Sequence, residues 1–301
     1  MTPSLKRFSF NAMGSHCEVQ FFDDSRVYAK RLAKKLTDEA SRLEKKYSRF
    51  RSDSFLSQIN AQAGAKNGIE IDQETLLLFD HALTCYEQSE GLFDITSGRL
   101  SRIWNFKGGQ VPDPKLIADA LERTGFDKLN WHQSRLLIPE GMEIDFGGIV
   151  KEYAADSLAR LARASGYNSG LLNLGGDFSV IGPMPEQKSW PIGITQPDST
   201  GSIMATVNLS DGGLASSGDY ERFFFFEGER YSHILNPKTG WPSKGLRAVS
   251  VASHLCTVAG SMASIAMLKS ESDGIQWLVD SSLPHVYMRQ DGSIGGPSSN
   301  V

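Results

Sequence analysis

The sequence predicts an α+β fold or an intertwined α/β fold in place of a regular doubly wound sheet, and three observations bear on its class and size. Helical and strand patterns both occur, and they follow one another in an irregular order instead of alternating regularly. Of the 301 residues 40% are hydrophobic, which suffices for a packed core in one large domain or two modest ones. No internal repeat of a solenoid kind is visible. We expect a single domain over residues 1–291, followed by an exposed tail at 292–301.

The first predicted elements are a strand at residues 16–22, where hydrophobic residues alternate, and a helix at residues 27–47. In that helix leucine and alanine recur at helical spacing with charged residues between them. Further helices are predicted at 76–86, 116–124 and 152–165. Further strands are predicted at 170–174, 178–181, 203–209, 222–226 and 248–252. The run of phenylalanines at 223–226 is expected to form a buried strand.

Composition and charge exclude several classes of protein. The formal net charge is −4, from 31 Lys and Arg against 35 Asp and Glu, so the positive field that nucleic-acid binding needs is absent. No apolar stretch is long enough to predict a membrane span, and the first residues lack a signal-peptide core. The cysteines, Cys17, Cys85 and Cys256, form neither a disulfide pattern nor a zinc motif. We expect a cytoplasmic protein that binds no nucleic acid.

Four stretches concentrate glycine, carboxylate, hydroxyl and histidine where a hydrophobic core would not need them. They are GLFDITSGRLSRIWNF at 91–106, DFGGIVKEYAAD at 145–156, LLNLGGDFSVIG at 171–182 and SSGDYERFFFFEGERYSHILNPKTG at 216–240. Each combines a predicted strand, a turn and polar residues. These stretches are therefore the candidates for a functional site.

The glycine pairs in two of these stretches allow two interpretations. In DFGGIVKEYAAD the pair precedes a predicted helix, where the backbone can approach a ligand, the helix N-terminus favours an anion and Lys151 adds a positive charge. In LLNLGGDFSVIG, Gly175 and Gly176 precede Asp177. Ordinary turns, one between a strand and a helix and one in a hairpin, would account for the same residues.

His233 begins the segment HILNPKTG, in which an imidazole precedes a rigid turn that carries a hydroxyl and a cation. An imidazole with an ordinary pKa of about 6.5 can accept a proton at neutral pH. The segment therefore predicts either a catalytic proton acceptor or a structural histidine that caps a turn.

Taken in chain order, these segments resemble the ApbE family of FAD:protein FMN transferases. AMGS at 12–15 is similar to the MGT start of the family, and SRFRSDSFLSQIN at 48–60 is similar to its S-x-[YF]-x-x-x-S-x-[LI]-x-x-[LIF]-N signature. GLFDITSG matches the family's G-x-F-D-x-T-x-G, and DFGGIVKEYAAD, NLGGD, SSGDYER and HILNPKTG follow in the family order. Seven segments in series make chance a poor explanation.

The resemblance implies a two-lobed α+β fold related to T-fold proteins. It also implies an activity, because such enzymes split the pyrophosphate of FAD and move FMN onto a Thr or Ser hydroxyl of a partner flavoprotein, with Mg²⁺ on the diphosphate. A metal ion, backbone amides and a cation would neutralise the diphosphate charge. FAD as substrate, Mg²⁺ and an acceptor flavoprotein are therefore the expected cofactors and partner.

By the same resemblance the functional residues fall into three groups. His233 is the candidate proton acceptor for the acceptor hydroxyl. The carbonyl of Gly148 and the hydroxyl of Ser264 are the candidate magnesium ligands. The FAD site would be formed by Met13, Phe50, Leu92, Phe93, Asp94, Asp145, Lys151, Asn173, Gly175, Gly176, Asp177 and Thr239.

Three positions depart from the family pattern, and one of them is Asn236, which replaces the commonest Asp. Relatives carry D-x-x-x-[TS] near the C-terminal end, whereas the segment TVAGSMASIAML places Gly260 at the Asp position. Glu152 replaces the glycine that follows the lysine, which brings a negative charge close to the expected diphosphate. A water is expected to complete the magnesium site in place of the Asp, at lower affinity. Two alternatives to a transferase stay open: an FAD-binding protein without activity, and an FAD pyrophosphatase that releases FMN and AMP.

Overall fold

The structure is a computed structural model and describes residues 4–197 and 201–297. In this part of the chain the strands are β1 (Ser4–Ala12), β2 (Ser15–Asp23), β3 (Ile69–Glu70), β4 (Asn130–His132), β5 (Arg135–Leu137), β6 (Gly170–Leu174), β7 (Asp177–Gly182), β8 (Trp190–Thr195), β9 (Ile203–Leu209), β10 (Gly213–Gly218), β11 (Phe223–Phe226), β12 (Glu229–Ser232), β13 (Ala248–Ser253), β14 (His285–Met288) and β15 (Ile294–Gly295). The helices are α1 (Arg26–Tyr47), α2 (Phe55–Ala61), α3 (Gln73–Gln88), α4 (Gly98–Ile103), α5 (Pro114–Glu122), α6 (Val150–Ala164), α7 (Cys256–Leu268) and α8 (Glu271–Ser281).

The largest element is an eight-stranded antiparallel sheet in the order β1-β2-β6-β7-β10-β13-β14-β15. Its first two strands form a hairpin whose turn residues, Met13 and Gly14, have φ angles of 53° and 71°. Two positive φ angles give a turn that matches the right-handed twist of the paired strands. Because β2 pairs with β6, this turn lies at the same end of the sheet as the turn between β6 and β7.

Three helices cover one face of the sheet side by side. α1 packs on β1 and β2, α6 on β6 and β7, and α7 on β10 and β13, and each helix also contacts the next. α1 and α6 are amphipathic, so their apolar faces are visible as a period in the sequence. α7 lies between the sheet, α6 and α8, and its residues are small or apolar on most sides. The main hydrophobic core lies between these helices and the sheet, and it extends to α2 and α3.

Two smaller cores complete the fold. Successive residues of β6 face different cores, since Leu172 belongs to the main core and Leu171 packs with the β8–β9 hairpin on the opposite face of the sheet. α4 and α5 pack with the β11–β12 hairpin around Trp104 and Phe224. Within residues 4–197 and 201–297, no helix is both long enough and apolar enough to cross a bilayer.

The predicted α+β class is confirmed, and each predicted helix and strand lies within a few residues of an observed one. The predicted burial at 223–226 is wrong. Of these four side chains only Phe224 packs into the third core, and Phe223, Phe225 and Phe226 are 38%, 65% and 39% exposed. Within the tail predicted at 292–301, β15 pairs with β14, whereas residues 298–301 lie outside the described residues.

Candidate active site

The turn that leads into α6 carries an exposed pair of glycines. Before it, Asp145 donates its backbone N–H to the carbonyl of Ile95 at 2.7 Å, which joins this turn to the segment that contains Phe93. The Asp145 carboxylate accepts the amide of Gly147 at 2.9 Å. A Cβ on Gly148 would lie 3.5 Å from the Phe93 ring. The structure therefore brings Phe93, Asp145 and Gly148 together at an exposed backbone turn.

Arg49 and Phe50 lie next to this turn. The Arg49 guanidinium forms an ion pair with Asp145, with Nη1 at 3.1 Å from Oδ2, and it lies over the Phe50 ring at 4.7 Å from the ring centre. The Phe50 side chain is 82% exposed. An exposed ring that a guanidinium supports is a surface on which a planar group can stack.

The glycine turn between β6 and β7 lies beside the β1–β2 turn. Asn173 Oδ1 accepts the amide of Gly176 at 2.8 Å, and Gly175 donates to the carbonyl of His16 at 3.2 Å. Both glycines are exposed and have positive φ. A Cβ at position 175 would also lie 2.6 Å from Ser15 Oγ, so glycine is required there. The two turns therefore pack closely with their backbones open to solvent.

A cavity of about 410 Å³ opens beside the β1–β2 turn. Its lining consists of Asn11, Ala12, Gly14, Ser15, His16 and Glu44. Met13, at the tip of the turn, is half-buried and has a φ angle that is uncommon for a residue with a side chain. Such strain is often found at ligand sites, and here it places a methionine at the edge of an open cavity.

Lys151 and Asp177 form an ion pair behind the glycine turn. Lys151 Nζ lies 2.9 Å from Asp177 Oδ2, and only 2% of the Asp177 side chain is exposed. Burial opposes the charge on Lys151, but Asp177 and Glu152 outweigh it and raise the pKa of the ammonium. Nζ lies 4.0 Å from the position that a Cβ of Gly175 would take. A permanent positive charge thus lies beside an exposed backbone turn, which suits an anionic ligand.

Asp156 attaches α7 to α6. Its carboxylate accepts the backbone amides of Cys256 and Thr257, both at 2.9 Å, and the hydroxyl of Thr257 at 2.7 Å. The Ser179 hydroxyl also donates to it, at 3.1 Å. Although it belongs to another helix, Asp156 caps the first turn of α7, where unpaired amides and the helix dipole favour an anion.

The cap fixes an antiparallel register between the two helices. One turn from Asp156 along α6, Glu152 lies against Gly260, where a Cβ would be 2.6 Å from Glu152 Cγ. Gly148 lies in the turn before α6, two residues from the start of the helix, and Ser264 lies one turn beyond Gly260 in α7. The register therefore brings the two candidate magnesium ligands to the same end of the helix pair as Glu152.

The Glu152 side chain occupies the space in which a side chain at position 260 would lie. Its Oε1 lies 2.8 Å from the position that a Cβ of Gly260 would take. Burial, followed by the charge of Asp177, raises the pKa of the Glu152 carboxyl. A carboxyl group from the neighbouring helix therefore lies where a side chain at position 260 would begin, and the water at the magnesium site stays a prediction.

His233 follows β12, and the backbone holds its ring. Nδ1 lies 3.2 Å from the carbonyl oxygen of Arg222, which also accepts the His233 amide at 3.0 Å. A carbonyl only accepts, so Nδ1 carries the proton and Nε2 can accept another. Burial, followed by the charge of Arg222, lowers the pKa of His233 to about 4. The imidazole is therefore neutral at pH 7, as a proton acceptor must be.

The segment SSGDYER connects His233 to the buried ion pair. Ser216 at its start donates its backbone amide to Asp177 at 3.3 Å. Burial raises the pKa of Asp177, and the charge of Glu221 in the same segment adds to this effect. The next residue, Arg222, holds the His233 ring. One short segment thus joins the two halves of the candidate site.

Three other predicted site residues have surroundings that do not by themselves indicate contact with a ligand. Asp94 is buried, and the protein uses both of its oxygens, one for Thr96 and the other for the amide of Phe126. Leu92 is half-buried in the turn before Phe93. Thr239 is exposed in the NPKTG turn, where its Oγ1 accepts a backbone amide at 3.3 Å. Contact of these residues with FAD stays a prediction.

A magnesium site in this chain would depend on few carboxylates. Among the residues that the structure describes, no three His, Cys, Asp or Glu side chains are arranged to hold a metal ion. Mg²⁺ is compatible with that, because it often binds through one or two carboxylates together with substrate phosphates and water. Glu152 Oε2, a buried oxygen without a hydrogen-bond partner at the same end of the helix pair as Gly148 and Ser264, fits such an ion.

Sequence reasoning missed several residues that hold the site in place. Arg49 and Asp156 lie inside quoted motifs, yet their partners are distant in sequence. Asn60, at the end of another motif, donates to the Ile144 carbonyl at 2.9 Å and accepts the Ile144 amide at 2.7 Å. It thereby fixes the segment before Asp145. The signal in the sequence was that each of these polar residues lies within or at the end of a quoted motif.

Known proteins share both the sequence pattern and the fold. The model of the ApbE family matches residues 13–287. An FAD:protein FMN transferase of Treponema pallidum is 32% identical over 278 residues, which cover 83% of this chain and 75% of that protein. The structure of the ApbE protein of Thermotoga maritima is 27% identical with a TM-score of 0.89 and covers 97% of both chains. That of the flavinyl transferase ApbE of Pseudomonas stutzeri, in its apo form, is 25% identical with a TM-score of 0.89 and covers 100% of this chain and 96% of that one. Since the match extends over nearly the whole chain and its α+β architecture, the protein belongs to the ApbE family.

Proposed function

We propose that this protein is an FAD:protein FMN transferase that uses Mg²⁺ and modifies a Thr or Ser hydroxyl of a partner flavoprotein. One observation carries the proposal: the Lys151–Asp177 ion pair, the exposed glycine turn and a neutral His233 are linked through one segment of chain. Relatives named FAD:protein FMN transferase and flavinyl transferase support it.

FAD binds in this proposal with its diphosphate against the turn at Gly175 and Gly176. The Lys151 ammonium neutralises part of the diphosphate charge, and Asp177 holds that ammonium in place. The exposed Phe50 ring provides a surface for stacking with a ring of FAD. The site therefore recognises the charge and the planar groups of FAD separately.

The acceptor hydroxyl oxygen then attacks the phosphorus of the FMN moiety. A P–O bond of the pyrophosphate breaks, and AMP leaves with the bridging oxygen. His233 takes the hydroxyl proton on Nε2, because Nδ1 already donates to the Arg222 carbonyl. When bound, Mg²⁺ supplies further charge neutralisation on the diphosphate, and the Gly148 carbonyl and the Ser264 hydroxyl are among the groups that would hold it.

A cytoplasmic location is part of the proposal. The three cysteines are free and buried, so the fold does not depend on an oxidising compartment. Cell fractionation with an antibody against the chain tests this point.

The central experiment is incubation with FAD, Mg²⁺ and a flavoprotein acceptor domain, followed by mass spectrometry of the acceptor and chromatography for AMP. We expect an FMN adduct on a Thr or Ser, equimolar AMP, and loss of both with a chelator. AMP without an adduct would identify an FAD pyrophosphatase instead. FAD binding without either product would identify a binding protein.

The role of His233 is tested by His233→Ala. A lost general base typically costs a factor of about 100 or more in rate, so adduct formation should fall by that amount while FAD affinity changes little. His132→Ala, at an exposed histidine in β4, is the matched control and should transfer FMN at the normal rate. Equal rates in both variants would remove His233 from the mechanism.

A further inference from the structure

Glu152 presents a buried carboxylate oxygen that the described part of the chain does not satisfy. Its side chain is on α6, the residue is 7% exposed, and Oε2 has no hydrogen-bond partner. Buried charged oxygens without a partner are rare in folded proteins, because they lose their hydration and gain nothing in return. The fold thus keeps this oxygen available for a partner from outside the chain.

Position 260 explains how the carboxylate can be there. A Cβ on Gly260 would lie 2.6 Å from Glu152 Cγ, 2.8 Å from Oε1 and 2.9 Å from Cδ. Cγ is in the middle of the side chain, so Glu152 cannot avoid such a Cβ by moving only its end. A side chain at 260 and a glutamate at 152 therefore compete for one volume, and the departures from the family pattern at these two positions form one exchange.

The charges near Glu152 leave it without a direct counter-ion. Lys151 acts electrostatically on both Glu152 and Asp177, but its Nζ forms the ion pair with Asp177 at 2.9 Å. The Lys151 ammonium is thus the shared counter-charge of two buried carboxylates, Asp177 and Glu152. The backbone of Gly148 and the hydroxyl of Ser264 lie at the same end of the helix pair by register, so neutral oxygen groups are available as well.

We propose that Glu152 is a carboxylate ligand of a divalent cation, in the place of a side chain at position 260. The inference rests on the proposed function, since the cation is the one that would neutralise the FAD diphosphate. Mg²⁺ and Mn²⁺ are the suitable ions, because both prefer carboxylate, carbonyl and phosphate oxygens. Binding would also supply the positive charge that the two buried carboxylates lack.

The competing interpretation is that Glu152 is a neutral, structural acid that fills space beside a helical glycine. Both interpretations predict that a large change at position 152 disturbs packing. They differ for Glu152→Gln, which keeps the shape and removes the charge. They differ again when the carboxylate is moved to the other helix.

The experiment measures Mn²⁺ binding to the full chain by the electron paramagnetic resonance signal of free Mn²⁺, with and without FAD. Glu152→Gln should weaken binding by at least about tenfold, since even groups behind a metal ligand have effects of that size. Glu87→Gln, an exposed glutamate on α3, is the matched control and should bind Mn²⁺ as the wild type does.

Two further variants test the exchange itself. Glu152→Gly combined with Gly260→Asp places the carboxylate on α7 and should bind Mn²⁺ close to wild-type affinity. Gly260→Asp alone should not strengthen binding, because its Cβ collides with Glu152. Thermal unfolding provides a readout without activity: Mg²⁺ should raise the melting temperature of the wild type and not that of Glu152→Gln.

The outcomes separate the inference from the proposed function. Wild-type Mn²⁺ affinity in Glu152→Gln, or no Mn²⁺ binding by the wild type in either condition, would overturn the role of Glu152. Glu152-dependent Mn²⁺ binding without an FMN adduct would instead uphold that role and overturn the transferase. An adduct together with unchanged Mn²⁺ binding in Glu152→Gln would do the reverse.

Discussion

Two buried carboxylates on α6 lie one turn apart and have opposite surroundings. Asp156 receives donors from Cys256, Thr257 and Ser179, and no oxygen of it lacks a partner. Glu152 is equally buried, but its Oε2 has none. Burial alone therefore does not determine the role of a carboxylate. A carboxylate whose hydrogen bonds are complete holds the fold together, whereas an incomplete one is available to a ligand.

The largest effect on this comparison should come from Asp156→Ala. The change removes the cap of α7 and leaves the amides of Cys256 and Thr257 buried without an acceptor. We expect the free energy of unfolding to fall by about 3 kcal/mol, from a lost cap and lost charge-assisted hydrogen bonds. Urea unfolding at pH 7 measures it. A loss below about 1 kcal/mol would contradict the structural role of Asp156.

A second, smaller effect is expected from Gly260→Ala. In the wild type the new methyl group collides with Glu152, and such overpacking costs about 2 kcal/mol. In a Glu152→Ala background the collision disappears, and alanine should stabilise α7 by about 1 kcal/mol through its helix propensity. The four unfolding free energies form a double-mutant cycle. Additive effects would show that the two positions do not share one volume.

Glu152→Met should raise the free energy of unfolding, in contrast to Asp156→Ala, which should lower it. An apolar side chain of similar length removes an unsatisfied buried oxygen, so we expect a gain of about 1 kcal/mol in the absence of divalent cations. Chemical unfolding in a chelator checks this. A loss of stability comparable to that of Asp156→Ala would mean that Glu152 is a structural residue after all.

An effect of similar size concerns His233, whose ring combines both situations, since Nδ1 is bonded and Nε2 can accept. Its pKa of about 4 lies below the value of about 6.5 expected in the unfolded chain. Unfolding therefore takes up a proton between these values, and the fold loses stability as the pH falls from 6.5 to 4. Relative to His233→Gln, we expect a loss of about 1 kcal/mol in the free energy of unfolding across this window. This value already includes the reduction by solvent screening.

The measurement is the free energy of unfolding of both proteins at several pH values, since other titrating groups contribute equally to each. Nuclear magnetic resonance of the imidazole provides the pKa directly. Parallel pH curves for the two proteins would contradict a lowered pKa for His233.

The helices that the sequence predicts correctly are those with one apolar face. α1 and α6 show a clear period because one side faces the sheet and the other faces solvent. α7 escapes prediction as a helix because it is enclosed, and its small and apolar residues have no period. β10, with the sequence GLASSG, lacks the branched and aromatic residues by which strands are identified.

The site was predictable as a set of motifs and not as a set of contacts. The motifs contain Lys151, Asp177 and His233, but no spacing reveals that Lys151 pairs with Asp177 or that Arg222 holds the His233 ring. In the sequence, Glu152 and Gly260 were visible only as two separate departures from the family pattern. They become one feature once the antiparallel register of α6 and α7 is known, because the register depends on tertiary packing.

The pairing of β2 with β6 has a consequence for how the chain is made. β2 belongs to the first hairpin, and its partner is synthesised only after the intervening helices and the small sheet. Until then one edge of the hairpin is open and can pair with other chains. Contacts between distant segments also form slowly, since a long loop must first close. Because the glycine turn follows β6, the ability to bind FAD should emerge late during synthesis and in the slowest phase of refolding.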